Sequence, residues 1–286
     1  MGYPMARNLL KAGHEVAVWS NTGSKATQLA AEAGATACAT AADVARASEA
    51  VFVCVGNTEM AEAVILGPNG LKEGGAPGLT IVDASTISPS ASVRMHNALK
   101  DAGIDFLGAP CTGSTPGAIN GTLTFMIGGE EAVFEKMKPY LEAMGKKLYL
   151  CGGPGTGLHA KLTQNLVLSN ILQAFNEGIV LSTKAGIEPK LMLDVLTNSA
   201  AKSGLIDYKA PFIFRRDFTT NFSVKWMHKD IGLMLDSAAE LSVPLPLTSL
   251  TRQLFQAAIA MGHGEEDICS TIKVLEGITG VEVSSK

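Results

Sequence analysis

The chain has 286 residues, of which 47% are apolar and 17% are charged, and its formal net charge is -4. This length fits one large domain or two ordinary ones, with a well-filled core. The near-neutral charge and the absence of lysine or arginine runs argue against nucleic acid or anionic membrane as a partner. No apolar run reaches the roughly 20 residues that span a bilayer and no signal peptide is present, so we expect a cytoplasmic globular protein.

Up to about residue 150, short β-rich runs alternate with alanine-rich helical stretches, which is typical of a sheet wound with helices on both faces. The candidate strands are residues 14–19, 50–55, 79–83, 104–107, 122–127 and 147–150. We expect the strand at 122–127 to be antiparallel because only a short loop precedes it. This pattern predicts a doubly wound α/β domain over residues 1–152.

The pattern changes beyond Gly157. Residues 158–185 form one long apolar stretch without proline, which predicts a single long helix. Further helices are expected to be marked off by Pro189, Pro211, Pro244, Pro246 and Gly262. Since no strand candidate occurs there, residues 153–286 are predicted to form an all-α domain.

The five cysteines are scattered, and their number and spacing predict free thiols rather than zinc ligands or disulfides. They are Cys38, Cys54, Cys111, Cys151 and Cys269. A nucleophilic role for Cys111 is conceivable, but no sequence feature supplies a base for it. We interpret Cys111 instead as a small, partly buried residue that packs as an apolar side chain does.

A glycine-rich turn runs directly into a helix over residues 152–165. Lys161 and Asn165 lie four residues apart there, which places their side chains on one helix face. An ammonium and a carboxamide in that arrangement provide a proton donor and an orienting partner for a substrate oxygen. Taken alone, the segment fits a solvated surface lysine equally well.

Five segments occur in the order and spacing of the β-hydroxyacid dehydrogenases, and this resemblance covers essentially the whole chain. They are MGYPMARNLLKAGHEV at 1–16, DASTISPS at 83–90, APCTGSTPGAINGTL at 109–123, GPGTGLHAKLTQN at 153–165 and MHKD at 227–230. The resemblance implies a Rossmann-type domain, a long interdomain helix, a helical domain and an active site in the cleft between the domains. It also implies oxidoreduction between a small β-hydroxy acid, similar to 3-hydroxyisobutyrate, and its semialdehyde.

The resemblance gives these residues roles in the reaction. Lys161 would be the general acid and base, and Asn165 would orient the lysine or the substrate hydroxyl. The loop residues Thr112, Gly113 and Ser114 would bind the substrate carboxylate. Lys229 would approach substrate or cofactor from the helical domain, while the neighbouring Trp226 and His228 are interpreted as packing residues.

Cofactor contacts are expected at the start of the first helix, after the predicted strand at 14–19 and at the carboxyl edge of the sheet. The candidates are Gly2, Tyr3, Pro4, Met5, Ser20, Asn21, Thr22, Lys25, Val55, Gly56, Thr86 and Lys229. NAD enzymes usually carry an acidic residue after this strand, whereas this chain has Ser20-Asn21-Thr22 followed by Lys25. Hydroxyls, an amide and an ammonium favour NADP over NAD.

The chain departs from the family pattern in three ways. The first strand and the two leading glycines of the G-x-G-x-x-G fingerprint do not precede Gly2, so we expect a missing upstream segment and a sheet without its central strand. Gly108 and the run Thr112-Gly113-Ser114 replace the usual aspartate and Ser-Gly-Gly. Gln164 replaces the first asparagine of Lys-x-x-Asn-Asn, while Asn165 is retained.

Two other functions remain open. Reduction of imines or other small carbonyls on the same fold is disfavoured because imine reductases of similar fold replace the lysine found here at 161. A non-catalytic binding module is disfavoured because Lys161, Asn165 and Lys229 occur together. A decarboxylating sugar-acid dehydrogenase shares the architecture but has a longer helical domain.

The apolar long helix and the resemblance together predict a homodimer or homotetramer with contacts through the helical domain.

Overall fold

The computed structural model describes residues 1–285, which divide into two compact units. The first unit is Met1–Lys161, and the second begins at Leu162. The division falls inside the long helix α9 (Thr156–Lys184), whose residues through Lys161 belong to the first unit. The sequence instead places the domain boundary just before this helix.

The first unit alternates helices and strands. Its other helices are α1 (Gly2–Lys11), α2 (Gly23–Ala33), α3 (Ala41–Arg46), α4 (Thr58–Leu66), α5 (Leu71–Gly74), α6 (Pro89–Lys100), α7 (Ser114–Asn120) and α8 (Glu131–Met144). Its strands are β1 (Ala17–Val18), β2 (Thr36–Ala37), β3 (Ala50–Val53), β4 (Thr80–Asp83), β5 (Asp105–Gly108), β6 (Cys111–Thr112), β7 (Leu123–Gly128) and β8 (Gly145–Gly152).

The strands form two separate ladders. Strands β1 and β2 pair in parallel with each other only, and the main sheet has β3, β4 and β5 in parallel. Strand β7 is antiparallel to β5 and β6, which confirms the predicted direction of the strand at 122–127, and β8 pairs in parallel with β7. The ladder is interrupted between β1 and β3, as expected from the incomplete fingerprint.

Hydrophobic side chains cover both faces of the main sheet. Ile81 and Phe106 join one buried cluster, which includes Met95 and Leu99 of α6. Their neighbours Val82 and Leu107 point to the other face and join a second cluster with α1 and α8. Because successive side chains of a strand point to opposite faces, consecutive apolar residues in β4 and β5 are expected only when both faces of the sheet are buried. This confirms the doubly wound α/β class.

The second unit is helical. After α9 its helices are α10 (Pro189–Thr197), α11 (Gly204–Phe214), α12 (Val224–Glu240), α13 (Pro246–Ala260), the short 3-10 helix Ile268–Thr271 and α14 (Ile272–Thr279). Within its described residues no strand is formed, and Ser223 and Asp267 make one isolated antiparallel bridge. No helix among residues 1–285 has both the length and the apolar character to cross a membrane.

The prediction that Pro211 separates two helices is wrong, because this proline lies inside α11. A proline in a helix interior costs about 3 kcal/mol through a lost hydrogen bond and a clash with the preceding turn. The same turns bury Ala210, Ile213 and Phe214 completely or nearly so. This burial on both sides of Pro211 offsets the cost, and the helix continues.

Candidate active site

The start of α9 lies directly against the sheet. A Cβ atom added to Gly157 would lie 2.4 Å from the carbonyl oxygen of Met126 and 2.8 Å from that of Gly108. Gly108 and Gly128 face each other across β5 and β7. Only a glycine at 157 therefore allows the helix to begin this close to the strands.

Lys161 follows Gly157 by one helical turn, and its side chain is only 8% exposed. Burial raises the pKa of the Cys111 thiol to about 12, and the nearby charge of Lys161 acts in the opposite direction. Lys161 and the loop that follows Cys111 thus share one region of the first unit. A thiol with this pKa stays protonated at neutral pH, which removes support for Cys111 as a nucleophile.

The predicted substrate loop has a backbone conformation that requires glycine at one position, and it has two hydroxyls without hydrogen bonds within residues 1–285. Gly113 has φ +127°, and a Cβ added there would lie 3.2 Å from the Leu123 side chain. Thr112 and Ser114 are half-buried, and neither hydroxyl makes a hydrogen bond to any residue in the described range 1–285. The loop therefore offers two hydroxyls to a ligand.

A chain of hydrogen bonds joins the ends of β3 and β4. The Ser85 amide donates to Asp83 Oδ1 at 2.9 Å, and the Val55 amide donates to Ser85 Oγ at 2.8 Å. Ser85 is buried, whereas Val55, Gly56 and Thr86 remain half-buried. Ser85 therefore positions this edge, and the other three residues are the ones accessible to a cofactor.

The four candidates at the start of α1 are not equivalent. Gly2 lies against Cys54, and Pro4 has no N–H. Met5 belongs to the core, and the Tyr3 hydroxyl donates to Glu32 on α2, which raises the Tyr3 pKa. The Tyr3 backbone amide is thus the group from this set that best suits a phosphate. No acidic side chain occupies the first turn of α1.

The residues after β1 lie at the surface. The Thr22 amide donates to Ser20 Oγ at 3.2 Å, and Thr22 is the residue that precedes α2. Asn21, Thr22 and Lys25 are exposed, and the first turn of α2 contains no carboxylate. This surface therefore presents an amide, a hydroxyl and an ammonium group and no carboxylate in the first turn of α2.

Asn165 and Lys229 meet at a buried carboxylate in the second unit. Asn165 is 2% exposed, and its Nδ2 donates to Asp230 Oδ2 at 2.7 Å. Lys229 Nζ lies 2.9 Å from Asp230 Oδ1 and 5.8 Å from the Trp226 ring. Burial, together with the positive charge of Arg252, lowers the pKa of His228, in keeping with packing.

Sequence reasoning did not assign a role to Asp230. Its sequence signal is its position directly after Lys229 in the segment MHKD, where a charge pair at the surface is the alternative to a functional role of Lys229. The structure instead buries the Asp230 carboxylate and bonds it to Asn165, a residue 65 positions earlier.

Comparison with known proteins gives matches along nearly the whole chain. Residues 1–153 match the family model of the NAD-binding domain of 6-phosphogluconate dehydrogenase. Residues 155–275 match the NAD-binding domain of NADP-dependent 3-hydroxyisobutyrate dehydrogenase.

Two relatives and one solved structure illustrate the similarity. The chain is 40% identical to 2-(hydroxymethyl)glutarate dehydrogenase of Eubacterium barkeri, over 99% of this chain and 94% of the relative. It is 36% identical to 2-hydroxy-3-oxopropionate reductase of Escherichia coli K12, over 96% and 94%. A crystal structure of 3-hydroxyisobutyrate dehydrogenase from Salmonella typhimurium superposes with a TM-score of 0.85 at 30% identity, over 96% and 95% of the two chains.

Proposed function

Since the chain belongs to the β-hydroxyacid dehydrogenase family, we propose that it interconverts a small β-hydroxy acid and its semialdehyde, using NADP in preference to NAD. That it is a nicotinamide-dependent oxidoreductase of hydroxy acids follows from the family. The substrate, the role of Lys161 and the cofactor preference are the proposed parts.

The described residues fit a dinucleotide in the first unit. The Tyr3 amide at the uncapped start of α1 would hold a phosphate, and Val55, Gly56 and Thr86 would flank the nicotinamide end. Exposed Asn21 and Lys25 would hold a 2′-phosphate. The bound nicotinamide supplies the hydride acceptor or donor.

The burial of Lys161 beside the substrate loop is the observation that carries the proposed mechanism. In reduction, the Lys161 ammonium donates a proton to the carbonyl oxygen of the semialdehyde. In oxidation, the neutral amine accepts the hydroxyl proton. Asn165 lies one turn beyond Lys161 on α9, and its hydrogen bond to Asp230 fixes its amide. In this mechanism Asn165 orients the substrate oxygen, and the hydroxyl of Thr112 binds the substrate carboxylate.

The names of the relatives support a small hydroxy acid as substrate. The Eubacterium barkeri relative is named for 2-(hydroxymethyl)glutarate and the Escherichia coli relative for 2-hydroxy-3-oxopropionate. The Salmonella typhimurium structure is named for 3-hydroxyisobutyrate. Each name specifies a carboxylate, which matches the carboxylate that Thr112 is proposed to bind.

We also propose that the chain forms a homodimer or homotetramer through its second unit. Large apolar side chains are exposed there, including Leu181 on α9 at 72% and Leu250 on α13 at 67%. Val167 on α9 and Leu247 on α13 are at least half exposed. Large exposed apolar side chains concentrated on two helices support a protein interface there. A second copy of the chain is the proposed partner.

Single-turnover hydride transfer in Lys161→Ala tests the mechanism. Loss of general acid and base catalysis slows the chemical step by about 10²- to 10⁴-fold, whereas NADPH binding stays close to wild type. Lys184→Ala, near the other end of α9, is the matched control and retains the wild-type rate. A near wild-type chemical step in Lys161→Ala would show that another group moves the proton.

A panel of small hydroxy acids and semialdehydes, assayed with both NADP and NAD cofactors, then defines the substrate.

A further inference from the structure

Ser114 adopts a backbone conformation that suits glycine. Its φ is +54°, directly after Gly113 at +127°. An L-residue with a side chain crowds its own carbonyl oxygen in this region, so such residues are uncommon there. A glycine at position 114 would adopt the same conformation without that strain.

The Ser114 side chain makes no hydrogen bond within the described residues that would offset this backbone strain. Its half-buried hydroxyl makes no hydrogen bond to any of residues 1–285. By contrast, Arg216 has a similar φ of +57° but makes two hydrogen bonds to Glu276. Ser242, at φ +56°, also makes no side-chain hydrogen bond within residues 1–285, so it is the place of Ser114 on the predicted substrate loop that gives its strain a functional interpretation.

The position of Ser114 indicates what its hydroxyl contacts. Thr112 lies two residues earlier on the same loop, and Lys161 is close enough to affect the titration of Cys111 at the base of this loop. The Thr112 hydroxyl and the side-chain-free backbone at Gly113 suffice for one carboxylate. The Ser114 hydroxyl is then left for a different oxygen of the same substrate.

We propose that Ser114 determines specificity by hydrogen bonding to a second oxygen-bearing substituent of the substrate, a hydroxyl or a further carboxylate. This inference rests on the proposed function. It predicts that hydroxy acids with such a substituent are preferred over those with a methyl group in its place. A serine at this position therefore costs some stability through backbone strain, and its hydroxyl discriminates between substrates of nearly equal size.

Glycerate and 3-hydroxyisobutyrate are a suitable pair of probes, because they differ by a hydroxyl or a methyl group on the same carbon. In Ser114→Ala, the ratio of kcat/KM for glycerate to that for 3-hydroxyisobutyrate should fall by about two- to tenfold, the worth of one hydrogen bond. In Thr112→Ala, kcat/KM should fall for both acids and the ratio should persist, since both carry the carboxylate.

Thermal unfolding separates the hydroxyl from the strain. Ser114→Gly should lower the same ratio and also raise Tm by about 1–3 °C, because the backbone relaxes. Ser114→Ala should give no such rise. Ser242→Gly is the matched control: Ser242 has φ +56° in the turn after α12, so Tm should rise while the ratio stays at its wild-type value.

An equal loss for both acids in Ser114→Ala would mean that the hydroxyl binds the common carboxylate, and would overturn the proposal. An unchanged ratio would overturn it as well. A wild-type protein that oxidises neither acid contradicts the proposed function instead. The shift in Tm that each acid causes in the presence of NADP⁺ still tests Ser114 then, because only the extra shift with glycerate should be lost in Ser114→Ala.

Discussion

Gly128 and Gly157 approach each other so closely that neither position has room for a side chain. A Cβ atom on Gly128 would lie 2.7 Å from the backbone nitrogen of Gly157, and one on Gly157 would lie 2.8 Å from that of Gly128. This contact joins the end of β7 to the first turn of α9. It therefore sets the position of Lys161, one turn further along the helix.

Replacement of Gly157 by alanine should displace the start of α9. We expect a loss of about 1–3 kcal/mol in the free energy of unfolding, as for other overpacked sites. The rate of hydride transfer should fall as well, because Lys161 moves with the helix. Urea unfolding and single-turnover kinetics measure the two effects. Gly204→Ala is the control, since an added Cβ there meets no atom within 4 Å and the helix should be slightly stabilised.

Asn21→Asp should reverse the cofactor preference. The wild-type surface at Asn21 and Lys25 has no carboxylate to repel a 2′-phosphate, so kcat/KM should be higher with NADPH than with NADH. An aspartate would repel that phosphate and accept a hydrogen bond from a ribose hydroxyl. Asn97→Asp adds the same charge to an exposed position of α6 and should leave the ratio intact. If Asn21→Asp leaves it intact too, cofactor discrimination lies at another contact.

Asp230→Ala should impair both stability and turnover. The Asn165 amide would lose a charged acceptor in a buried site, which costs about 1.5–3 kcal/mol. Asp230→Asn keeps the shape of the side chain and one acceptor oxygen, so it should lower the free energy of unfolding by less than Asp230→Ala. Denaturant unfolding of both variants, together with kcat, measures the difference. Equal stability of Asp230→Ala and wild type would contradict the role of this carboxylate in holding Asn165.

The thiol of Cys111 should resist alkylation between pH 7 and pH 9. Burial raises its pKa to about 12, so the reactive thiolate is scarce throughout this range and increases only as the pH approaches that value. Burial also raises the pKa of the Cys151 thiol, but Cys151 is exposed and should react first with iodoacetamide. Mass spectrometry of the labelled peptides gives the order. In urea, where burial is lost, the two cysteines should label at similar rates.

Leu250→Glu should weaken self-association. If a second copy covers the exposed apolar residues of α9 and α13, a charge at Leu250 would have to be desolvated in the interface. Light scattering at micromolar concentration should give at least a dimer for the wild type and a smaller mass for this variant. Ile119→Glu, at an exposed position of the first unit, should retain the wild-type mass. A monomeric wild type would contradict the proposed assembly.

Sequence patterns predicted the elements that have strong periodicity or length. The apolar run at 158–185 became α9, and the strands at 79–83 and 122–127 lie within one residue of the prediction. The two-residue strands β2 and β6 were missed because they are too short for alternation to appear. Asp230 was missed because its importance arises from a contact with Asn165 across the fold, which no local pattern encodes.

The position of β4 within the main sheet has a dynamic consequence. Strand β4 pairs with β3 on one side and with β5 on the other, and all four of its residues are buried. The two residues of β2 are instead exposed. Amide protons of β4 should therefore exchange with solvent deuterium only when the sheet opens, well after those of β2.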